Sequence, residues 1–481
     1  MVKPDDKRPK IVFAVPLLAL MHYFLLLAVL LATIPLRAQR PNVLLVVVDD
    51  LGYHDLGAHG SEIYQTPNLD RLATQSVRFT NAYANYPRCV PSRYALLTAR
   101  YPVLDGGVPD DGFALNRVPA ERNFVQFFND AGYQTAYFGK YHLGETPREL
   151  GFQTSALAGK AGSPISFHYP FNEPKGRNKN VRKSPIEAAD QYGQPGDFLT
   201  DVLTDAALAH LDTLSRAAPW FTVLSYYAVH QPLEAKAEDI AANRAEIATH
   251  DYGTRPKYVP EGTGRTKLRQ DHPHYAALVE NLDRQVGRVL RYLDEQQLTE
   301  NTLVVLTSDH GGLSNQGTKQ RDLATSNHPL RAGKGWVYEG GIRVPLFVRG
   351  PRLTPRVDTS SIVALMDVLP TLTDIVLSAN PPRRAVDGRS FRRVLTGRKR
   401  WDARTLYWFT SVARPVNTGE SVYAAVRSGR WKYVDFYADG RRELYDLRTD
   451  PGERTNLTEV EPKRARRMAR RLERWRRRQG I

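Results

Sequence analysis

The segment from Val43 to Val48, VLLVVV, is an unbroken apolar run that stops abruptly at two adjacent aspartates, Asp49 and Asp50. The same pattern, apolar or aromatic residues giving way to ionisable ones, recurs in GYQTAYFGKYHLG (132–144), WFTVLSYYAVHQP (220–232) and NTLVVLTSDHGG (301–312). A half-covered strand would alternate polar and apolar side chains. Continuous runs read instead as strands buried on both faces, as in a parallel sheet. Between them, PNLDRLATQSV, with Pro67 at the first helical position, and YAALVENLDRQVGRVLRYLDEQQL (275–298) carry apolar residues at helical spacing. The alternation predicts an α/β sandwich around a large, mostly parallel central sheet. In such sheets ligands bind beyond the carboxyl ends of the strands, where all four polar clusters fall.

Past Pro382 the text changes to short alternating runs, TLYWFT, YAAVRSGRWKYVDFY and RRELYDLRTDPGERTNL, with Asp439-Gly440 as a hairpin turn. These predict a small antiparallel sheet followed by a terminal helix, KRARRMARRLERWRRRQ. Ala161–Gly196 and Ala235–Asp271 resist a regular assignment and are expected as long loops over the site. At the N-terminus a basic segment precedes the apolar run IVFAVPLLALMHYFLLLAVLLATIP, with small residues around Ala38. It reads as an export signal, with an uncleaved membrane anchor as the alternative because the run is long and His22 interrupts it. The expected organisation is therefore a signal over 1–39, a catalytic domain over 40–385 and a C-terminal subdomain over 386–481. The expected location is periplasmic or extracellular.

A formal charge of +16 over 481 residues calls for an anionic partner, with nucleic acid, an acidic membrane surface and a polyanionic glycan as the candidates. Much of the excess lies in the terminal helix, where a solvated face competes with a docking role. Cys89 is the sole cysteine, so an exported chain cannot form an internal disulfide. An inert buried thiol is one explanation. Its context, CVPSRYALLTAR from Cys89 to Arg100, supplies another.

That segment resembles the type I sulfatases of the alkaline phosphatase superfamily, whose maturation signature is C-x-P-S-R. The resemblance extends from about Arg40 to Asn456, and every strand end above falls on a family motif. It implies an alkaline phosphatase-like sandwich in which a formylglycine-generating enzyme oxidises Cys89 to formylglycine. It implies a bound calcium held by Asp49, Asp50, Asp309, His310 and position 89. The catalytic and sulfate-binding set would be Arg93, Lys140, His142, His230 and Lys334, the last within GKGWVYEGGIRVP (333–345). A sulfate monoester repels nucleophiles, so cations must surround it and an oxygen must be held in line with the leaving group. His142 would handle the proton that releases sulfate. His230 and Lys334 would face the departing oxygen, while Arg93 and Lys140 clamp charge. Oxygen-rich ligands suit calcium. His310 stands where many members carry asparagine, and imidazole moves preference towards manganese or zinc. Tyr141 and Ala99 depart from the more usual tryptophan and glycine.

Singly, each motif has a bland reading: an aspartate pair is often a turn, and His142 or His230 alone a structural histidine. Their joint occurrence in order favours chemistry. His54, His59, His168, His272, His274 and His328 have no such support, although His168 and His328 lie in segments that could line a substrate pocket. The expected activity is sulfate ester hydrolysis on a carbohydrate. The rivals are a phosphonate or phosphate monoester hydrolase with the same nucleophile and a non-catalytic, envelope-tethered glycan-binding protein. Nucleic acid is not an expected partner, and the membrane enters only through the N-terminal segment. The charged loop EPKGRNKNVRK (173–183), with Lys175, Arg177 and Lys179, is the expected contact for an extended anionic glycan.

Overall fold

All seven residues of the strand Asn42–Val48 are buried, and alternate side chains enter two different cores. Leu44, Val46 and Val48 pack with Leu278, Leu282 and Val286 of the helix Pro273–Glu295. Val43, Leu45 and Val47 pack with Tyr94 and Leu97 of the helix Cys89–Thr98 and with Phe128 and Leu372. A strand covered on both faces has no position for a polar residue, which explains the unbroken apolar run. The computed structural model describes residues 40–103, 123–173, 185–214, 216–377 and 386–481. The expected export signal over 1–39, and Lys175, Arg177 and Lys179, lie outside the described residues. Among those described, no helix is long and apolar enough to cross a membrane.

Asn42–Val48 sits inside an eight-stranded sheet of order Arg356–Asp358, Val77–Phe79, Leu346–Arg349, Thr302–Ser308, Asn42–Val48, Trp220–Tyr226, Gln134–Gly139, Thr154–Ala156. The four strands read from the sequence are neighbours here and run parallel. Their register is level: Val48 lies opposite Ser308 and Tyr226, and Gly139 opposite Ser225. The four polar segments therefore leave the sheet along one edge. Leu346–Arg349 is antiparallel to Thr302–Ser308, which makes the sheet mixed.

The stretch Ala235–Asp271, expected as a loop, instead contains the helix Ala237–Thr249 and a hairpin of Tyr258–Glu261 and Gly264–Lys267. The helix hid behind its charge: only Ile240, Asn243 and Ile247, spaced three and four apart, face inward. Ala161–Gly196 is irregular in its described parts apart from one turn of 3-10 helix, Ala189–Gln191. The C-terminal sheet forms as expected, an antiparallel meander of Thr405–Thr410, Tyr423–Ser428, Trp431–Phe436 and Arg442–Asp446, with Asp439-Gly440 in its last turn. Met468, Leu472 and Trp475 of the terminal helix Pro462–Gln479 are buried at helical spacing. Ala99 caps the Cys89–Thr98 helix at φ +55°. Glycine adopts that left-handed conformation without strain, which accounts for its being usual there.

Lys432, fully buried, ties the C-terminal sheet to the helix Glu339–Ile342: its Nζ lies 3.1 Å from Glu339 Oε1 and 2.8 Å from Glu453 Oε1. Glu339 also accepts hydrogen bonds from Tyr83 Oη and Arg343 Nε, both at 2.8 Å. Burial raises the Glu453 carboxyl to about 7 against the pull of Lys432, and the Glu339 charge adds to the rise. The folded chain thus keeps a proton that an unfolded glutamate releases at about 4.3. Stability contributed by that proton falls as pH rises through this window. Urea midpoints at about pH 5 and about pH 8 should fall with pH in the parent, and Glu453→Gln should flatten the difference. Lys432→Met, which removes the one cation shared by two buried acidic side chains and leaves Glu339 only Arg343, should cost about 3–5 kcal/mol at about pH 8, where Glu453 is ionised, and less at about pH 5.

Candidate active site

Asp50 takes φ +62° directly after the strand. Successive strand side chains point to opposite faces, and one left-handed residue breaks that alternation so that Asp49 and Asp50 both reach the same pocket. Three contacts hold the turn. Asp50 N–H donates to Asp309 Oδ1 at 3.2 Å, Tyr275 Oη lies 3.4 Å from the Asp50 carbonyl, and Lys334 Nζ lies 2.6 and 2.9 Å from the two Asp50 carboxylate oxygens. His142 is likewise left-handed, at φ +57°. Gly162 makes room for its ring, since a Cβ there would lie 2.4 Å from His142 Nε2.

Cys89, the first residue of its helix, lies at the focus of these segments. Its Sγ is 3.3 Å from His310 Nε2, and Sγ here stands in for the oxygen that oxidation of the side chain would place at this point. Ligand atoms of Asp49, Cys89, Asp309 and His310 all fall within 4.8 Å of one another, as do those of Asp50, Cys89 and His230. His310 Nε2 is also 3.3 Å from Asp50 Oδ1, so the imidazole belongs to the donor set. Asp49 Oδ1 is buried without a hydrogen-bond partner. Arg93 Nη2 lies 3.8 Å from it, beyond hydrogen-bond reach; a buried carboxylate oxygen without a hydrogen bond, beside other acidic oxygens, fits a cation ligand, and the oxygen-rich set with one imidazole fits calcium or manganese.

Arg93 is buried in the wall: Nε donates to Asp309 Oδ2 at 3.0 Å, and Nη1 donates to the Lys140 carbonyl and Ser225 Oγ, each at 2.8 Å. Lys140 Nζ lies 2.5 Å from Asp49 Oδ2, and His230 Nε2 is 3.7 Å from Asp50 Oδ2. Burial opposes ionisation of the Cys89 thiol, yet Lys140, Lys334 and His310 outweigh it and hold the thiol well below its ordinary value. The pocket therefore favours negative charge at position 89. Burial lowers the His142 imidazolium to about 4 and pushes His230 down as well, which leaves both rings neutral near pH 7. Lys334, although buried, is pushed up by Asp50 and stays charged.

The ten residues expected to hold the metal or act on the ester thus lie together around Cys89: Asp49, Asp50, Cys89, Arg93, Lys140, His142, His230, Asp309, His310 and Lys334. Several supporting groups were missed. Ser92 Oγ donates to the Asp309 carbonyl at 2.5 Å, and Ser225 Oγ bridges Arg93 and the Lys140 carbonyl. Buried Asp55 accepts from Gly52 N–H, Tyr275 Oη and Thr325 Oγ1 at 2.7, 2.6 and 2.6 Å, fixing the turn below Asp50. At the rim, half-buried Arg321 makes no ion pair among the described residues. Its Nη2 donates to Gln231 Oε1 at 3.4 Å, beside His230. Only Ser92 carried a sequence signal, inside C-x-P-S-R. The histidines given no role mostly make structural contacts: His59 stacks on Tyr53 at 4.0 Å, His168 Nε2 contacts the Ala235 carbonyl and His272 caps the helix Pro273–Glu295.

Comparison with known proteins agrees with this geometry. A family model described as Sulfatase matches residues 41–377, and one described as N-sulphoglucosamine sulphohydrolase, C-terminal, matches 332–478. The chain is 30% identical to a protein named Sulfatase from Formosa agariphila, over 88% of this chain and 85% of the relative. It is 27% identical to N-acetylgalactosamine-6-O-sulfatase of Bacteroides thetaiotaomicron, over 91% and 93%. A solved structure, Ps i-CgsB in complex with k-i-k-neocarrahexaose, is similar with a TM-score of 0.71 and 26% identity, over 91% of this chain and 93% of the other. A level row of strand ends, a lone cysteine among buried cations and carboxylates, and a match over most of its length place this chain in the sulfatase family, the hydrolases of sulfuric esters.

Proposed function

We propose that this enzyme removes sulfate from a sulfated carbohydrate, using formylglycine made from Cys89 and a bound calcium. The observation that carries the proposal is the position of Cys89 Sγ at the meeting point of the acidic cluster, the His310 imidazole and the Lys140 and Lys334 cations. Formed at position 89, formylglycine would supply as its hydrate an oxygen nucleophile for sulfur and a second hydroxyl whose deprotonation would release sulfate. Calcium held by Asp49, Asp50, Asp309 and His310 would offset negative charge on the nucleophile and the ester. Arg93 fixes Asp309, Lys140 balances Asp49, and neutral His142 is ready to accept the second hydroxyl's proton. Lys334, kept charged by Asp50, and His230 stand where the departing oxygen needs a proton. Support for a carbohydrate comes from the names of similar proteins, one an N-acetylgalactosamine-6-O-sulfatase and one solved with a neocarrahexaose. We place the enzyme outside the cytosol on the N-terminal segment alone, where polymeric substrates are met.

The test is release of free sulfate by enzyme produced together with a formylglycine-generating enzyme, using panels of sulfated saccharides, aryl and steroid sulfates and phosphonate monoesters. Saccharides should give the highest kcat/KM. Replacing Cys89 by alanine should lower it by about three orders of magnitude or more. Preference for a steroid sulfate or a phosphonate would reject the carbohydrate reading.

Removal of divalent metal by a chelator should abolish activity, with calcium restoring it better than zinc because carboxylate oxygens dominate the donor set. His310→Asn should widen calcium's advantage. Zinc rescue equal to calcium in the parent would show that the imidazole governs the site.

Arg321 supplies a guanidinium bonded to Gln231, the residue after His230, and feels the Asp50 charge without a carboxylate at ion-pair distance among the described residues, which suits a second anionic or hydroxyl group on the sugar. Arg321→Ala should lower kcat/KM for multiply sulfated saccharides by about tenfold or more while leaving a small aryl sulfate within about twofold. An equal loss on both substrates would assign Arg321 to the sulfate pocket itself.

A further inference from the structure

A second basic cavity lies away from Cys89. About 730 Å³ in volume, it opens between the segment 387–407 and the terminal helix Pro462–Gln479. None of its lining residues belongs to the catalytic set. Tyr101, which lines it, follows the carboxyl end of the helix whose first residue is Cys89, and ten helical residues span ~15 Å. A single ester group held at Cys89 does not reach it.

The charge of the cavity is unbalanced. Arg389, Lys399, Arg400, Arg474 and Arg478 line it, all exposed, and none has a carboxylate within ion-pair distance among the described residues. Among the described residues, Asp387 and Asp402 are its only acidic lining residues. Arg404, also in the wall, is neutralised by Asp367. The contrast along the terminal helix is informative. Arg476 and Arg477 pair with Glu473 at 3.4 and 2.8 Å, as a solvated helix face would. Arg471, Arg474 and Arg478, three and four positions apart, share the stripe turned to the cavity and pair with no carboxylate.

The wall between these cations is aromatic and rigid. Tyr407 stacks on Trp475 with centroids 4.8 Å apart and planes 3° from parallel, and Tyr101 meets Trp475 edge-on at 5.4 Å. Trp401 is half-buried beside them. Tyr101 and Trp475 are buried behind this wall, so the half-buried Tyr407 and Trp401 are the rings that border the cavity, and set among exposed guanidinium forks they suit a saccharide that carries sulfate or carboxylate groups. A bilayer surface is flat and does not enter a concave site, and the aromatic faces would be idle against bare phosphate.

We infer that this cavity is an exosite that binds a stretch of polyanionic glycan remote from the ester being hydrolysed. The inference builds on the carbohydrate reading of the active site. By holding polymer at the surface, the exosite raises its local concentration near Cys89, an effect that weakens as salt shortens the screening length.

The test compares an Arg400→Ser, Arg474→Ser, Arg478→Ser variant with its parent, each also carrying Cys89→Ala so that bound polymer is not hydrolysed. Calorimetric titration uses a long sulfated galactan oligosaccharide, and parallel titrations use vesicles containing phosphatidylglycerol and duplex DNA. The expected result is about tenfold or greater loss of oligosaccharide affinity at low salt, shrinking as salt rises. In the Cys89-containing pair, kcat/KM for an aryl sulfate and the thermal midpoint should be unchanged. Unaltered oligosaccharide affinity would overturn the exosite, even if the enzyme desulfates glycans well. An equal fall for vesicles or DNA would also overturn it, assigning the cavity to polyanions in general. Conversely, arginine-dependent oligosaccharide binding in a protein that releases no sulfate from glycans would uphold the exosite and reject the substrate reading.

Discussion

Burying a charge is expensive unless another charge or a hydrogen-bonding group meets it, and this molecule buries many charges at one edge of one sheet. Asp49, Asp50 and Asp309 are almost wholly withdrawn from water, together with Arg93, Lys140 and Lys334. Each carboxylate therefore has an assigned cation: Lys140 for Asp49, Lys334 for Asp50 and Arg93 for Asp309. The pairs join segments far apart in sequence, so the level register of the four parallel strands is what allows them to form. Asp49 Oδ1 accepts no hydrogen bond and lies 3.8 Å from Arg93 Nη2, and the acidic oxygens gathered around Cys89 are the electrostatic basis for a divalent cation there.

The remoter parts of the fold serve that edge. Tyr275, from the long helix on one face, reaches both the Asp50 carbonyl and Asp55. On the other face, the helix beginning at Cys89 presents Arg93 one turn further on, and Ser92 anchors it to the Asp309 carbonyl. The buried Lys432 cluster clamps the C-terminal sheet to the helix following the Lys334 segment. The C-terminal region is thus bound into the scaffold that positions Lys334, and it also carries the second basic cavity.

What the sequence revealed follows from burial and motif. The four central strands were legible because coverage on both faces keeps charged residues out of them and favours long apolar runs, and their ends were legible because ionisable residues cluster in short segments such as CVPSR and SDHGG. The helix Ala237–Thr249 was not, because only Ile240, Asn243 and Ile247 turn inward from a charged surface. Asp55, Tyr275 and Ser225 were not, because each acts through a partner distant in sequence. Arg321 and Gln231 escaped for a similar reason: two rim positions 90 residues apart share no spacing that marks them. In the terminal helix, composition announced the charge, but only the structure separates the paired Arg476 and Arg477 from the unpaired Arg474 and Arg478.

The account centres on the chemical identity of residue 89. Trypsin cleaves after Arg88 and Arg93, isolating the peptide CVPSR, so mass spectrometry of active enzyme reads that identity directly. The account predicts a peptide in which the thiol has been replaced by an aldehyde, in proportion to specific activity across preparations. Full activity in protein whose peptide carries only the unmodified thiol would contradict it.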